Sequence, residues 1–178
     1  MLDELLGSWH WRNKATVWID ADPATVFLAA EQVRLGELPG AAVRRSTQLR
    51  VDRSGVTVLH DLLTQGFFLL HEDPDRELVL GRVGKFWRPG GATAAAVGGR
   101  KAFMDFAEPG YAKAVLGLLA LPSGPGTMVV VETRIRATDL HTFQEFNRHW
   151  LVAAWAGPSA RRQLLAAIKA RVARPADA

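Results

Sequence analysis

The sequence predicts an α+β domain, with a strand-rich middle covered by an amphipathic C-terminal helix. Two observations carry this expectation. Apolar and polar residues alternate through a series of segments punctuated by turn residues, ending in two long runs on either side of Pro122-Ser123-Gly124-Pro125-Gly126. After Thr138 the spacing becomes that of a helix, with Phe143, Phe146, Asn147, Trp150 and Ala154 on one stripe. The simplest packing lays that stripe across the concave face of a twisted antiparallel sheet of about seven strands.

Each element has its own signal. Trp9, Trp11, Ala15, Val17 and Ile19 alternate with His10, Arg12, Lys14 and Thr16, the period of a half-buried strand, and Trp18 is the exception on the polar side. Asp22 can cap a short helix running to about Val33, with Pro23 at the first position, where its missing N–H costs nothing. Further strands are expected near 42–51, 55–63, 66–72, 77–87 and 102–106, with turns at Asp52 to Gly55 and Glu72 to Asp75. The runs 111–121 and 126–137 form a hairpin, in which Val129, Val131, Thr133 and Ile135 face inward and Val130, Glu132, Arg134 and Arg136 outward. Thr138 or Asp139 caps the final helix, which Gly157-Pro158 interrupts. Leu164, Leu165, Ile168 and Val172 resume the apolar stripe, with Arg161, Arg162, Lys169 and Arg171 outside it.

Composition fits one domain over 1–178, with 174–178 a loose tail. The 178 residues are 48% hydrophobic and 22% charged, enough apolar material for a sizeable core. A net charge of +4 comes from dispersed arginines without an aromatic-and-basic binding motif, so nucleic acid is not the expected partner. Cysteine is absent, which removes disulfides, thiolate metal sites and thiol nucleophiles together. Met1 to Leu6 lacks the basic and apolar regions of a signal peptide, making a cytoplasmic location the default expectation. The apolar stretch from Ala114 to Leu121 is far shorter than the roughly 20 residues of a bilayer span, so no integral membrane association is expected.

The order of elements, together with Gly84-Lys85-Phe86-Trp87, Phe103-Met104-Asp105-Phe106, Pro109 to Ala114, Glu132-Thr133-Arg134, Phe146 to Trp150 and Ser159 to Arg162, resembles the START-like superfamily. This is the polyketide cyclase/dehydrase and lipid-transport group, also called SRPBCC or Bet v 1-like, and the chain looks most like its bacterial members. The resemblance covers nearly the whole sequence. It implies a helix-grip fold whose sheet and long C-terminal helix enclose a ligand, with carriage of hydrophobic molecules, polyketide cyclisation or simple binding as the associated roles.

Candidate site residues follow. Phe86, Trp87, Phe103, Phe106, Tyr111, Phe146 and Trp150 supply flat apolar surface for a ligand wall, or else fill an ordinary core. Arg82 shares a strand face with Leu78 and Leu80, and a buried guanidinium there demands an acidic partner or an anionic head group. His60, Asp61 and His71 are candidate acids or bases, although neighbours on a strand point to opposite faces. His141 and His149 lie about 12 Å apart along a helix at 1.5 Å per residue, too far to share a metal ion, so neither a metal nor a cofactor is expected.

The leading expectation is therefore a binding protein for a small hydrophobic molecule, with Gly90 to Gly99 as a gate. The alternatives are a cyclase/dehydrase-type enzyme using Arg82 or His60, and an interaction module, such as a homodimer, formed through Trp18 or Trp155.

Overall fold

The computed structural model describes residues 1–39, 54–87, 95, 97–149 and 158–174. Helix α1 (Leu2–Leu5) leads into strand β1 (Trp11–Ile19) and helix α2 (Pro23–Gln32), followed by a 3-10 turn at Leu35–Glu37 and helix α3 (Val58–Thr64). Strands β2 (Phe68–Asp73) and β3 (Glu77–Gly84) and helix α4 (Arg100–Asp105) precede the hairpin of β4 (Ala112–Ser123) and β5 (Gly126–Ala137). Helices α5 (Leu140–His149) and α6 (Pro158–Val172) close the chain. The strands form one open antiparallel sheet in the order β1-β5-β4-β3-β2.

The sheet has five strands among the described residues where the sequence predicts about seven. Two expected strands are helices. Segment 55–63 becomes α3 because Thr57 caps it, its Oγ1 accepting the His60 N–H at 3.2 Å, while Val58 and Leu62 fall on one helical face. Segment 102–106 becomes α4, entered through Gly99 at φ +83° and burying Phe103. The strand expected at 42–51 lies outside the described residues.

The expected long terminal helix is seen as two helices, with 150–157 between them outside the described residues. Asp139 caps α5 by accepting the Thr142 N–H at 2.8 Å and its hydroxyl at 2.6 Å, and it also accepts the N–H of Gly110 from the turn before β4. These bonds, that of the Thr142 hydroxyl foremost, hold the Asp139 carboxyl well below the usual carboxylate range. Pro158 starts α6, the one helical position that tolerates it.

Alternation along the strands sorts side chains to two faces, and both faces are covered. The inner face carries Ile19, Leu80, Val129 and Val131 against Val26, Val33, Leu62, Leu165 and Ile168 from α2, α3 and α6. At the far end of the same face Trp11, Ala114 and Ile135 meet Phe146 of α5. The outer face carries Leu70, Val79, Val83 and Val115 beneath Leu2 and Leu5 of α1 and Phe103 of α4. Gly117 makes this cover possible, because a Cβ there would come within 2.9 Å of the Leu2 side chain.

Of the charged residues that the sequence places in cross-strand pairs on the outer face of β5, Arg136 is exposed, whereas Glu132 and Arg134 are covered. Glu132 and Arg134 are only 4% and 5% exposed. The Glu132 carboxylate accepts two bonds from Arg12, at 2.8 and 3.0 Å, and one from Arg134 at 2.6 Å. Arg134 also reaches Asp3 at 2.7 Å and the Leu6 carbonyl at 3.3 Å, with its guanidinium 4.5 Å from the Trp9 ring. Burial opposes the Glu132 charge, but the bonds from Arg12 and Arg134 outweigh it and hold the carboxyl below its ordinary value.

Trp18 is 38% exposed, yet its indole N–H donates to the Ser123 carbonyl at 3.1 Å and its ring lies over Gly126. Trp155 lies outside the described residues.

The buried network makes a graded prediction. Glu132→Gln leaves Arg134 without its buried counter-charge and is expected to cost about 3 kcal/mol or more, read as a lower urea midpoint at unchanged slope. Asp3→Asn removes a partner that is largely in water and is expected to move that midpoint far less.

Candidate functional site

The inner face of β3 sets out the candidate site in register. Leu78, Leu80 and Arg82 point to the same side, and each is followed across the sheet by a residue of β4, namely Leu118, Leu116 and Ala114. Between this row and the helices lies an apolar cavity of about 50 Å³, lined among others by Leu62 of α3, Leu78, Leu80, Leu116, Leu118 and Leu164 of α6. Its volume is about a third of the ~150 Å³ void that takes up benzene in an engineered protein core. Glu31 of α2 is the charged residue on its lining among the described residues. Burial, with the charges of Glu72 and Asp75, raises the Glu31 carboxyl above its usual value, placing a concentration of acid at the β2–β3 turn end of the row.

At the other end the row meets aromatic rings. Phe86, Trp87 and Phe146 stand edge to face, with centroids 5.4 to 5.8 Å apart. Trp11 extends the cluster, 4.4 Å from Phe146 and stacked on Phe143 at 5.1 Å. The Arg82 guanidinium lies 5.2 Å from the Phe86 ring and 5.6 Å from Phe67. Burial pushes the Arg82 guanidinium pKa down, and among the described residues its Nε has no acceptor. The Trp87 indole N–H is in the same condition, on a side chain that is 7% exposed.

Of the residues singled out by sequence, the inner face gathers Arg82, Phe86, Trp87 and Phe146. Phe103, Phe106 and Tyr111 belong to the outer-face cluster, with Phe106 and Tyr111 edge to face at 5.3 Å, so they cannot line the same pocket. Trp150 lies outside the described residues, as does most of the Gly90 to Gly99 segment. His60 sits in the first turn of α3 with an exposed side chain, and Asp61, buried beside it, accepts a hydrogen bond from Gln65. Because α3 is a helix, the strand argument that set His60 and Asp61 on opposite faces does not apply. Among the described residues no three His, Asp or Glu side chains gather as metal ligands would.

Arg161 is the residue the sequence reading misplaces. It is 4% exposed and its guanidinium donates to the Thr133 hydroxyl at 3.0 Å, under the sheet and not outside the helix stripe. Burial lowers its pKa, as for Arg82. The signal was present in its spacing, since Arg161 stands four residues before Leu165 and seven before Ile168.

No family model matches the sequence, and no curated protein does. Several solved structures are similar in chain path. Protein MLL2253 from Mesorhizobium loti matches with a TM-score of 0.47 at 11% identity, over 94% of this chain and all 100% of its own. A protein from Arthrobacter aurescens matches with a TM-score of 0.45 at 11% identity, over 93% of this chain and 88% of its own. The di-domain ARO/CYC BexL from the BE-7585A biosynthetic pathway matches with a TM-score of 0.34 at 16% identity, over 93% of this chain and 51% of its own. Likeness of this degree assigns neither a ligand nor a reaction to the chain.

The rim of the aromatic cluster carries a pH response. His10 Nδ1 accepts the Ala137 N–H at 3.1 Å, and its ring stands edge-on to Phe143 at 4.9 Å. Burial, then the Arg136 charge, push its pKa below the ordinary value. The unfolded chain takes up this proton near pH ~6.5, whereas the folded protein resists it. The contribution to stability is therefore whole above about pH 6.5 and is lost as pH falls through the depressed folded value. Wild type is expected to have a lower urea midpoint at pH 5 than at pH 7.5, and His10→Ala to remove part of that dependence.

Proposed function

We propose that the protein binds a small hydrophobic molecule between the inner face of the sheet and the helices above it. The observation that carries this reading is the apolar cavity on the Leu78-Leu80 row, continuous in register with the residue that approaches the Phe86 ring. Its lining is almost wholly aliphatic, and transfer of apolar surface from water into such a space contributes roughly 25 cal/mol per Å². At about 50 Å³ the cavity takes only the tip of an acyl chain or ring, so the rest of a bound molecule extends along the row towards Phe86 and Trp87. Leu164, on α6, and Leu59, on α3, are the side chains whose rotation would widen it.

The test uses an uncharged fluorescent probe, N-phenyl-1-naphthylamine. Wild-type protein is expected to enhance its emission saturably. Leu80→Phe, which fills the cavity with a volume increase the core can accommodate at a cost of about 1–3 kcal/mol, is expected to weaken probe binding at least tenfold while the far-ultraviolet circular dichroism is retained. Absence of saturable binding by wild type would overturn the proposal.

A further inference from the structure

The two unpartnered donors on the inner face specify more than a hydrophobic ligand. From Leu78 to Arg82 the row runs four residues, roughly 13 Å along an extended strand, from an aliphatic cavity to a cation set among rings. Both donor side chains touch the same ring, the guanidinium at 5.2 Å from Phe86 and the Trp87 indole at 5.8 Å. Buried polar groups in folded proteins almost always have partners, and an orphaned donor has a specific cause. Rings at 5 to 6 Å offer Arg82 a cation–π contact, which satisfies neither the Nε–H nor the full charge. A water molecule would satisfy the N–H and leave the charge. Among the described residues no carboxylate pairs with Arg82, in contrast to Arg134 on the outer face, which holds both Glu132 and Asp3.

We infer that Arg82 and Trp87 form the head-group end of the ligand site, so that the bound molecule is an apolar body carrying a carboxylate. This rests on the apolar-ligand reading above and adds the charge and the orientation. A carboxylate has lone pairs enough for both the guanidinium and the indole N–H, and charge-assisted bonds of this kind are about twice as strong as neutral ones. Electrostatics at the opposite end fix the direction. Glu31 lies on the lining of the cavity and repels an anion from it, so the apolar tail points there and the carboxylate points to Arg82. The body takes one of two forms, an alkyl chain along the leucine row or a fused ring system against Phe86.

Two matched pairs of probes separate these possibilities, namely dodecanoate with dodecanol and 2-naphthoate with 2-naphthamide, each titrated by calorimetry and by displacement of N-phenyl-1-naphthylamine at pH 7.5. At least one acid is expected to bind tenfold or more tighter than its neutral partner, and which pair does so identifies the body. Arg82→Met, close in volume, is expected to bring the acid-to-neutral ratio to about one while leaving affinity for the neutral molecule within about twofold. Trp87→Phe is expected to lower the ratio by a smaller factor. Arg82→Met also reads out the role directly. A guanidinium serving structure would lose thermal stability when replaced, whereas removal of an unsatisfied buried donor is expected to leave the ligand-free melting temperature equal or higher.

Equal binding of acid and neutral probes by wild type, or an acid preference that survives Arg82→Met, overturns the head-group assignment and leaves the apolar site standing. Failure of all four probes and of the naphthylamine overturns the apolar reading, and the head-group inference with it.

Discussion

The pairing of β4 with β5 is the constraint on which the rest of the molecule depends. Their ladder runs unbroken from Ala112 opposite Ala137 to Ser123 opposite Gly126, with β1 attached to β5, β3 to β4, and β2 in turn to β3. Because both faces of the sheet are covered, alternate residues of β5 serve two different environments. Val129, Val131 and Ile135 enter apolar cores, whereas Glu132 and Arg134 enter a charged network. A slip of one residue would put those two charges into the hydrocarbon and the valines among arginines, so the two-sided burial itself specifies the register.

The two faces treat Arg134 and the half-buried Arg82 in different ways. Arg134 is surrounded by acceptors and holds the N-terminal helix to the sheet. Arg82 lies on the other side of the sheet among rings, with no acceptor for its Nε among the described residues. The first arrangement satisfies the charge within the fold, whereas the second offers only cation–π contacts and leaves the Nε–H without an acceptor. Arg161 is intermediate, anchored on a hydroxyl that belongs to the sheet.

Where local chemistry determined the outcome, the sequence was legible. The Pro122-to-Gly126 turn announced the hairpin, Asp22 and Pro23 announced α2, and the period of two placed Arg82 on the face of Leu78 and Leu80. Errors arose where two local patterns competed. Segment 55–63 was expected as a strand, but the Thr57 cap and the spacing of Val58 and Leu62 gave a helix. The split of the aromatics across two faces was not legible, because Phe103 and Phe106 belong to α4 and the segment after it, whose side of the sheet is fixed by distant contacts. The cover over Glu132 was hidden for the same reason. It depends on Leu2 fitting the notch at Gly117, a match between residues more than a hundred positions apart.

That separation has a consequence for synthesis. Trp11 of β1 is paired with a residue of β5 more than a hundred positions later, so at 5–20 residues per second the first strand waits roughly 6–25 s on the ribosome for its partner. Throughout that interval it presents Trp11, Val17 and Ile19 on one face of an unpaired segment. Arg12 and Lys14, interleaved with them, put like charges on each nascent copy, and neighbouring chains on one messenger would repel each other at the place where they would otherwise stick. Arg12, which later clasps Glu132 in the finished sheet, therefore serves first as a guard of an unfinished one.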